Sequence, residues 1–131
     1  MADFGELLQT ADWKSEKHVP VIDAPDRAKS GERVTIAASV GKEIAHPNTT
    51  EHHIQWIEVH FKPDDDKFSH QLSVNRFTAH GESAQGANQG SAFTEPVCAT
   101  TVVLKSSGTL YATSYCNIHG LWESSKRIEV E

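Results

Sequence analysis

A chain of 131 residues can bury one core without disulfide staples, and nothing in that length calls for a second domain. The formal net charge of −6 and isoelectric point near 5.7 argue against nucleic acid and anionic membrane surfaces as partners, because both need a positive face. Two cysteines, Cys98 and Cys116, fall short of a disulfide-built secreted scaffold.

The chain opens with an arm, Met1 to Asp12, that has neither the basic start nor the apolar centre of a secretory signal. No run approaches transmembrane length, so the expected setting is cytoplasmic. Phe4 to Gln9 suits a short amphipathic turn or helix, with Trp13 anchoring the arm. From Lys17 onward β-branched residues recur in short blocks separated by Gly, Pro, Asn, Asp and Ser. The strand candidates are His18–Ile22, Arg33–Val40, His53–Lys62, Phe68–Thr78, Pro96–Leu104, Thr109–Tyr115 and Leu121–Val130. About seven short strands without a long helical pattern predict an all-β, antiparallel sandwich, and residues 1–131 read as a single domain. Turns are expected at Asp23–Glu32, Pro63–Lys67 and Ser106–Gly108. Ala79–Thr94, rich in Gly, Ser, Asn and Gln, reads as a long surface loop or lid.

Chemistry concentrates near the C-terminus, in Ser114-Tyr115-Cys116-Asn117-Ile118-His119-Gly120-Leu121-Trp122. A thiolate and an imidazole three residues apart, with Gly120 permitting a tight turn, can close on one metal ion. An isolated Cys-x-x-His is more often a buried thiol beside an ordinary turn. What shifts the balance is the supply of partners: His18, His46 and the pair His52-His53 offer imidazoles from separate segments. Soft sulfur with several nitrogens points to iron, copper or zinc. His46-Pro47-Asn48-Thr49-Thr50-Glu51 has the composition of an ordered loop with His46 and His52 near its ends. Neighbours on an extended chain point to opposite sides, so only one of His52 and His53 should face a metal.

Glu16-Lys17-His18-Val19-Pro20, the run Gly41 to Ile54, Phe77-Thr78-Ala79-His80-Gly81-Glu82-Ser83 and the Cys116 motif together resemble the superoxide reductase family, specifically its single-iron neelaredoxins. The match runs from Asp12 to Trp122. The resemblance implies an immunoglobulin-like β-sandwich holding one mononuclear non-haem iron, with His18, His46, His52 and His119 as nitrogen ligands and Cys116 as the sulfur. It gives His53 no ligand role. It implies one-electron reduction of superoxide to hydrogen peroxide, followed by re-reduction by an external, rubredoxin-like electron donor, and a homotetramer is common among such relatives. Desulfoferrodoxins carry a further iron domain with four cysteines, whereas no Cys precedes Cys98 here. Ala45 stands where relatives often have Pro, a change in loop stiffness more than in chemistry.

Glu16 and Lys17 would ordinarily be solvated charges before a strand. By the same resemblance they are catalytic: Glu16 occupies the sixth position of ferric iron, and Lys17 attracts the anionic substrate. An acidic chain repels an anion at long range, so a local positive field is physically needed. The backbone N–H groups of Ile118 and His119 are expected to point back at the Cys116 sulfur. Cys98, His60 and His70 read as strand or surface residues, and His80 as a loop residue that shapes the site without ligating.

A blue-copper electron-transfer protein is the alternative, but that site takes two His, one Cys and usually a weak Met, and the only Met is Met1. A binding module with structural zinc would use four closed ligands where five are on offer, and leaves Glu16-Lys17 without a purpose.

Overall fold

The computed structural model describes residues 1–131. Its strands are β1 (Pro20–Asp23), β2 (Arg27–Ala28), β3 (Arg33–Val40), β4 (Ile54–Pro63), β5 (His70–Arg76), β6 (Val97–Val103), β7 (Gly108–Cys116) and β8 (Gly120–Val130). They form a three-stranded sheet, β1-β3-β6, facing a five-stranded sheet, β2-β8-β7-β4-β5. The expected β-sandwich is present, with the immunoglobulin-like architecture. Two corrections apply. An eighth strand, β2, lies in the segment expected to be a turn, and it pairs parallel with β8 through Arg27 and Glu129, so the sandwich is not wholly antiparallel. Two residues suffice because Glu129 N–H donates to Asp26 O, and Glu131 N–H to Ala28 O.

Alternation carries the strand pattern into the core. β3 buries every second residue, and β4 does so from Ile57 onward, past an irregularity after Ile54, so Ile36, Ile57, Val59, Leu110, Ala112 and Ile128 meet between the sheets. The edge strands β5 and β6 are mostly exposed, as one-sided packing predicts. Cys98 sits half-buried on β6, its sulfur donating to Ala38 O. The arm forms a single 3-10 turn, Phe4–Leu7, that buries nothing. Backbone bonds fasten it, Gln9 N–H to Leu121 O and Glu123 N–H to Gln9 O. Trp13 is half-buried and lies under the ammonium groups of Lys14 and Lys42. No helix is long and apolar enough to cross a membrane.

β4, β7 and β8 share one end. Ile54 pairs with Cys116, and Cys116 with Gly120. The β7–β8 hairpin closes through residues 117–119, and Gly120 takes φ +81°, the left-handed conformation this turn needs. Gly41, at φ +89°, ends β3 on the same side; a Cβ there would stand 2.8 Å from the His46 backbone nitrogen. That close approach brings the 46–53 loop over the end of the sandwich.

Candidate metal centre

Three loops meet at this end. His18 precedes β1, His46 and His52 bound the loop before β4, and Cys116 and His119 flank the β7–β8 turn. One ligand atom from each of His18, His52, Cys116 and His119 falls within 4.8 Å of the others. His18 Nε2 lies 3.0 Å from His119 Nδ1, which lies 3.2 Å from His52 Nε2 and 3.7 Å from Cys116 Sγ. Neighbouring donors on one ion, with metal–nitrogen bonds of about 2.1 Å, stand about 3 Å apart. The spacing therefore fits a shared ion. The His46 ring completes the ring of imidazoles, its centroid 4.9 Å from that of His18 and 4.8 Å from that of His52.

His46 supplies the sharpest test of fit. Its Nδ1–H donates to Pro47 O at 2.7 Å, which leaves Nε2 with the lone pair. That Nε2 is buried and has no partner. A buried polar atom without a partner is costly, and a metal ion would satisfy it. Burial pushes His46 down to about 4, with the nearby His18, His52 and Lys17 adding to the shift. His52 is lowered as well, by burial first and then by His119, His18 and Lys17. Both rings are thus held neutral, the form that ligates.

The surrounding bonds set tautomers and ring orientation. Glu16 accepts from the His18 backbone N–H at 2.8 Å and from His18 Nδ1 at 2.5 Å, turning His18 Nε2 towards the other donors. Burial works to raise the Glu16 carboxyl, but the bonds from His18 outweigh it and hold it below its ordinary value. Here Glu16 rests on His18 rather than among the donor atoms. Lys17 is half-buried and forms no ion pair among those of the chain. Its charge nonetheless reaches His46 and His52.

Cys116 is fully buried and accepts the His119 N–H at 3.3 Å. Of the two amides expected on the sulfur, only that of His119 reaches it. His52 and His53 diverge as strand alternation requires: His52 joins the cluster, and His53 turns away onto His80, centroids 3.5 Å apart. His60 and His70 lie in β4 and β5, remote from the cluster.

Two residues given no role by sequence reasoning belong to the site. Trp122 stacks on His18, centroids 5.0 Å apart at 14°, and its Nε1–H donates to His119 O. Asn117 accepts the His53 N–H and donates to Glu51 O, joining the 46–53 loop to the β7–β8 turn. Trp122 was visible in the motif, but only the fold brings its ring over His18. On one side the cluster is open, since His119 and Ile118 are exposed.

Fold and donor set define a class: a β-sandwich with a nitrogen-rich, single-sulfur centre at the end of the sheets. The desulfoferrodoxin family profile matches residues 10–125. A neelaredoxin from Megalodesulfovibrio gigas is 51% identical over 126 residues, 96% of this chain and 97% of its own. The superoxide reductase of Pyrococcus furiosus is 50% identical over 124 residues, 95% of this chain and 98% of its own. The reduced superoxide reductase (neelaredoxin) of Archaeoglobus fulgidus superposes with a TM-score of 0.88 at 51% identity, covering 94% of this chain and 98% of its own. This chain belongs to the desulfoferrodoxin family, among its neelaredoxin-type members.

Proposed function

We propose that this chain is a superoxide reductase, reducing superoxide by one electron to hydrogen peroxide. The observation that carries the reading is the convergence of His18, His46, His52, His119 and Cys116, with His46 Nε2 buried and unpartnered, in a chain half identical to proteins of that name. Iron is the metal this donor set best suits: several imidazoles with one thiolate bind divalent transition metals, and the proposed reaction needs a one-electron couple, which zinc lacks. Bound there, ferrous iron would supply the electron and an open coordination position for an anion.

The chain's own groups prepare that position. Lys17 adds a local positive charge in a protein of net charge −6, raising the concentration of an anionic substrate at the open face. Glu16 and Trp122 orient His18, one through Nδ1 and the other across the ring face. The His119 N–H on Cys116 Sγ tempers the sulfur's donor strength. By the resemblance the Glu16 carboxylate would also serve the oxidised metal, for which it would have to release His18 Nδ1. Protons for peroxide come from solvent at the exposed His119 side.

Re-reduction falls to an external electron carrier of the rubredoxin kind. One domain spanning residues 1–131, a homotetrameric assembly and a cytoplasmic setting belong to the same reading. Iron analysis with a visible spectrum of the oxidised protein tests it, alongside peroxide yield per superoxide consumed. One iron per chain, a long-wavelength sulfur-to-iron band bleached on reduction, and peroxide without equimolar dioxygen are expected. Copper with an intense blue band would instead select the electron-transfer alternative.

A further inference from the structure

His46 and His52 are separated by five turn-forming residues, and no strand holds them. The loop's own bonds are short-range: His52 N–H to Thr49 Oγ1, Thr49 N–H and Oγ1 to His52 O, and the Nδ1 atoms of His46 and His53 to Pro47 O and Thr49 O. Most of the rest come from the long loop before β6. Asn48 Nδ2 donates to Thr94 O at 3.0 Å, which fixes the amide so that Oδ1 faces His80 Nδ1, also at 3.0 Å. Thr50 Oγ1 donates to His80 O at 2.7 Å. Thr50 N–H donates to Asn88 Oδ1 at 2.7 Å, Asn88 N–H returns to Thr50 Oγ1, and Asn88 Nδ2 spans both oxygens of Glu51. The His53 ring lies flat on His80.

The loop that makes these contacts is itself braced. His80 is 3% exposed, and its Nε2 stands 2.7 Å from Phe77 O, so each ring nitrogen faces a carbonyl oxygen and the ring's N–H donates to one of them. Gly81 N–H donates to Ala92 O, Gly90 N–H to Gly81 O, and Thr94 N–H to Ala79 O. Asn88 holds φ +63°, a conformation Asn adopts more readily than most residues and one that turns its side chain and N–H onto Thr50 together.

We infer that residues 80–94 form a clasp, in which His80 and Asn88 are positioning residues that hold His46 and His52 ready for metal. The inference deepens the proposed function and rests on its ligand assignment. The physical gain is preorganisation: ordering a loop costs conformational entropy, and the clasp meets that cost during folding rather than during metal binding. The expected result of loosening it is faster metal loss with an intact sandwich.

The test uses the full chain with Asn88→Gly, which tolerates the positive φ but lacks the side chain; His80→Phe, which keeps a ring over His53 but loses the ring nitrogens; and Thr50→Val beside Thr50→Ser. Backbone hydrogen exchange is followed in the metal-free protein, and iron release to a chelator in the loaded one. Asn88→Gly, His80→Phe and Thr50→Val should speed exchange at residues 48–53 by about tenfold or more, leave β7 unchanged, and speed iron release by about 10–100-fold, the range for losing outer-shell support. Thr50→Ser should stay near the parent. Should His80→Phe fail to fold, Asn88→Gly and the Thr50 pair decide alone. Exchange and release within twofold of the parent, or acceleration spread equally over β7, would overturn the clasp. A parent that takes up no iron would instead sink the proposed function, while exchange on the metal-free chain would still decide the clasp.

Discussion

The two ends of the sandwich are built on opposite principles. At the end where β7 begins and β8 finishes, polar groups are matched. Arg127 pairs with Asp64 and Glu129, Ser107 Oγ accepts the Val130 N–H and donates to Val130 O, and Asp64 N–H donates to Ser107 O. At the other end imidazole nitrogens crowd one another, His119 Nδ1 standing 3.0 Å from His18 Nε2 and 3.2 Å from His52 Nε2, and His46 Nε2 has no partner at all. The same strands, β4, β7 and β8, run through both. What differs is how polar groups are met: one end pairs them within the fold, and the other gathers candidate donors and leaves the buried His46 Nε2 unpaired.

The largest effects belong to the donor end. Cys116→Ser should remove the sulfur-to-metal band outright, and His46→Leu should weaken iron binding by at least about 100-fold, consistent with loss of a direct ligand. In the metal-free state His46→Leu should nevertheless be the more stable protein, on the order of 1 kcal/mol, because an unpartnered buried nitrogen is gone. Thermal melts with and without metal measure both, and a metal-free variant that melts well below the parent would contradict the contrast.

Ile57 is fully buried between the ends, so Ile57→Ala should cost about 2–5 kcal/mol and weaken both ends together. Denaturant titration gives the value. A loss confined to metal binding would mean that the ends do not share one core.

Lys17→Ala should slow the encounter of superoxide with the reduced protein several-fold and flatten its ionic-strength dependence, since exposed charge is screened beyond about 10 Å at 0.1 M salt. Rapid mixing at several salt concentrations checks this. Glu16→Ala should leave that encounter nearly as fast while altering the spectrum and anion affinity of the oxidised site. A crippled encounter in Glu16→Ala would return its role to holding His18 alone. The smallest effect is expected at the matched end: Arg127→Ala breaks exposed ion pairs, which contribute little, and should leave the melting temperature nearly unchanged.

Much of this protein was legible in its residues. Alternating β-branched blocks prescribe strands, because side chains on a strand point to opposite faces and one face must be buried. Candidate donors stood out too, as a thiol and several imidazoles near turn formers, but it was the family resemblance that singled out His18, His46, His52, His119 and Cys116 from the other candidates. Tertiary structure alone decided the rest. Alternation says that His52 and His53 diverge, but which one meets Cys116 depends on how β4 pairs with β7, a contact between residues far apart in sequence. β2 exists because Arg27 and Ala28 find the end of β8, and no pattern within two residues can announce a partner a hundred positions away. Glu16 on His18, Trp122 over the same ring, and His80 with Asn88 on the ligand loop are hydrogen-bond and stacking choices with little periodic signature. They arise only once folding has brought the loops to one end of the sandwich, where each buried polar group takes the partner within reach.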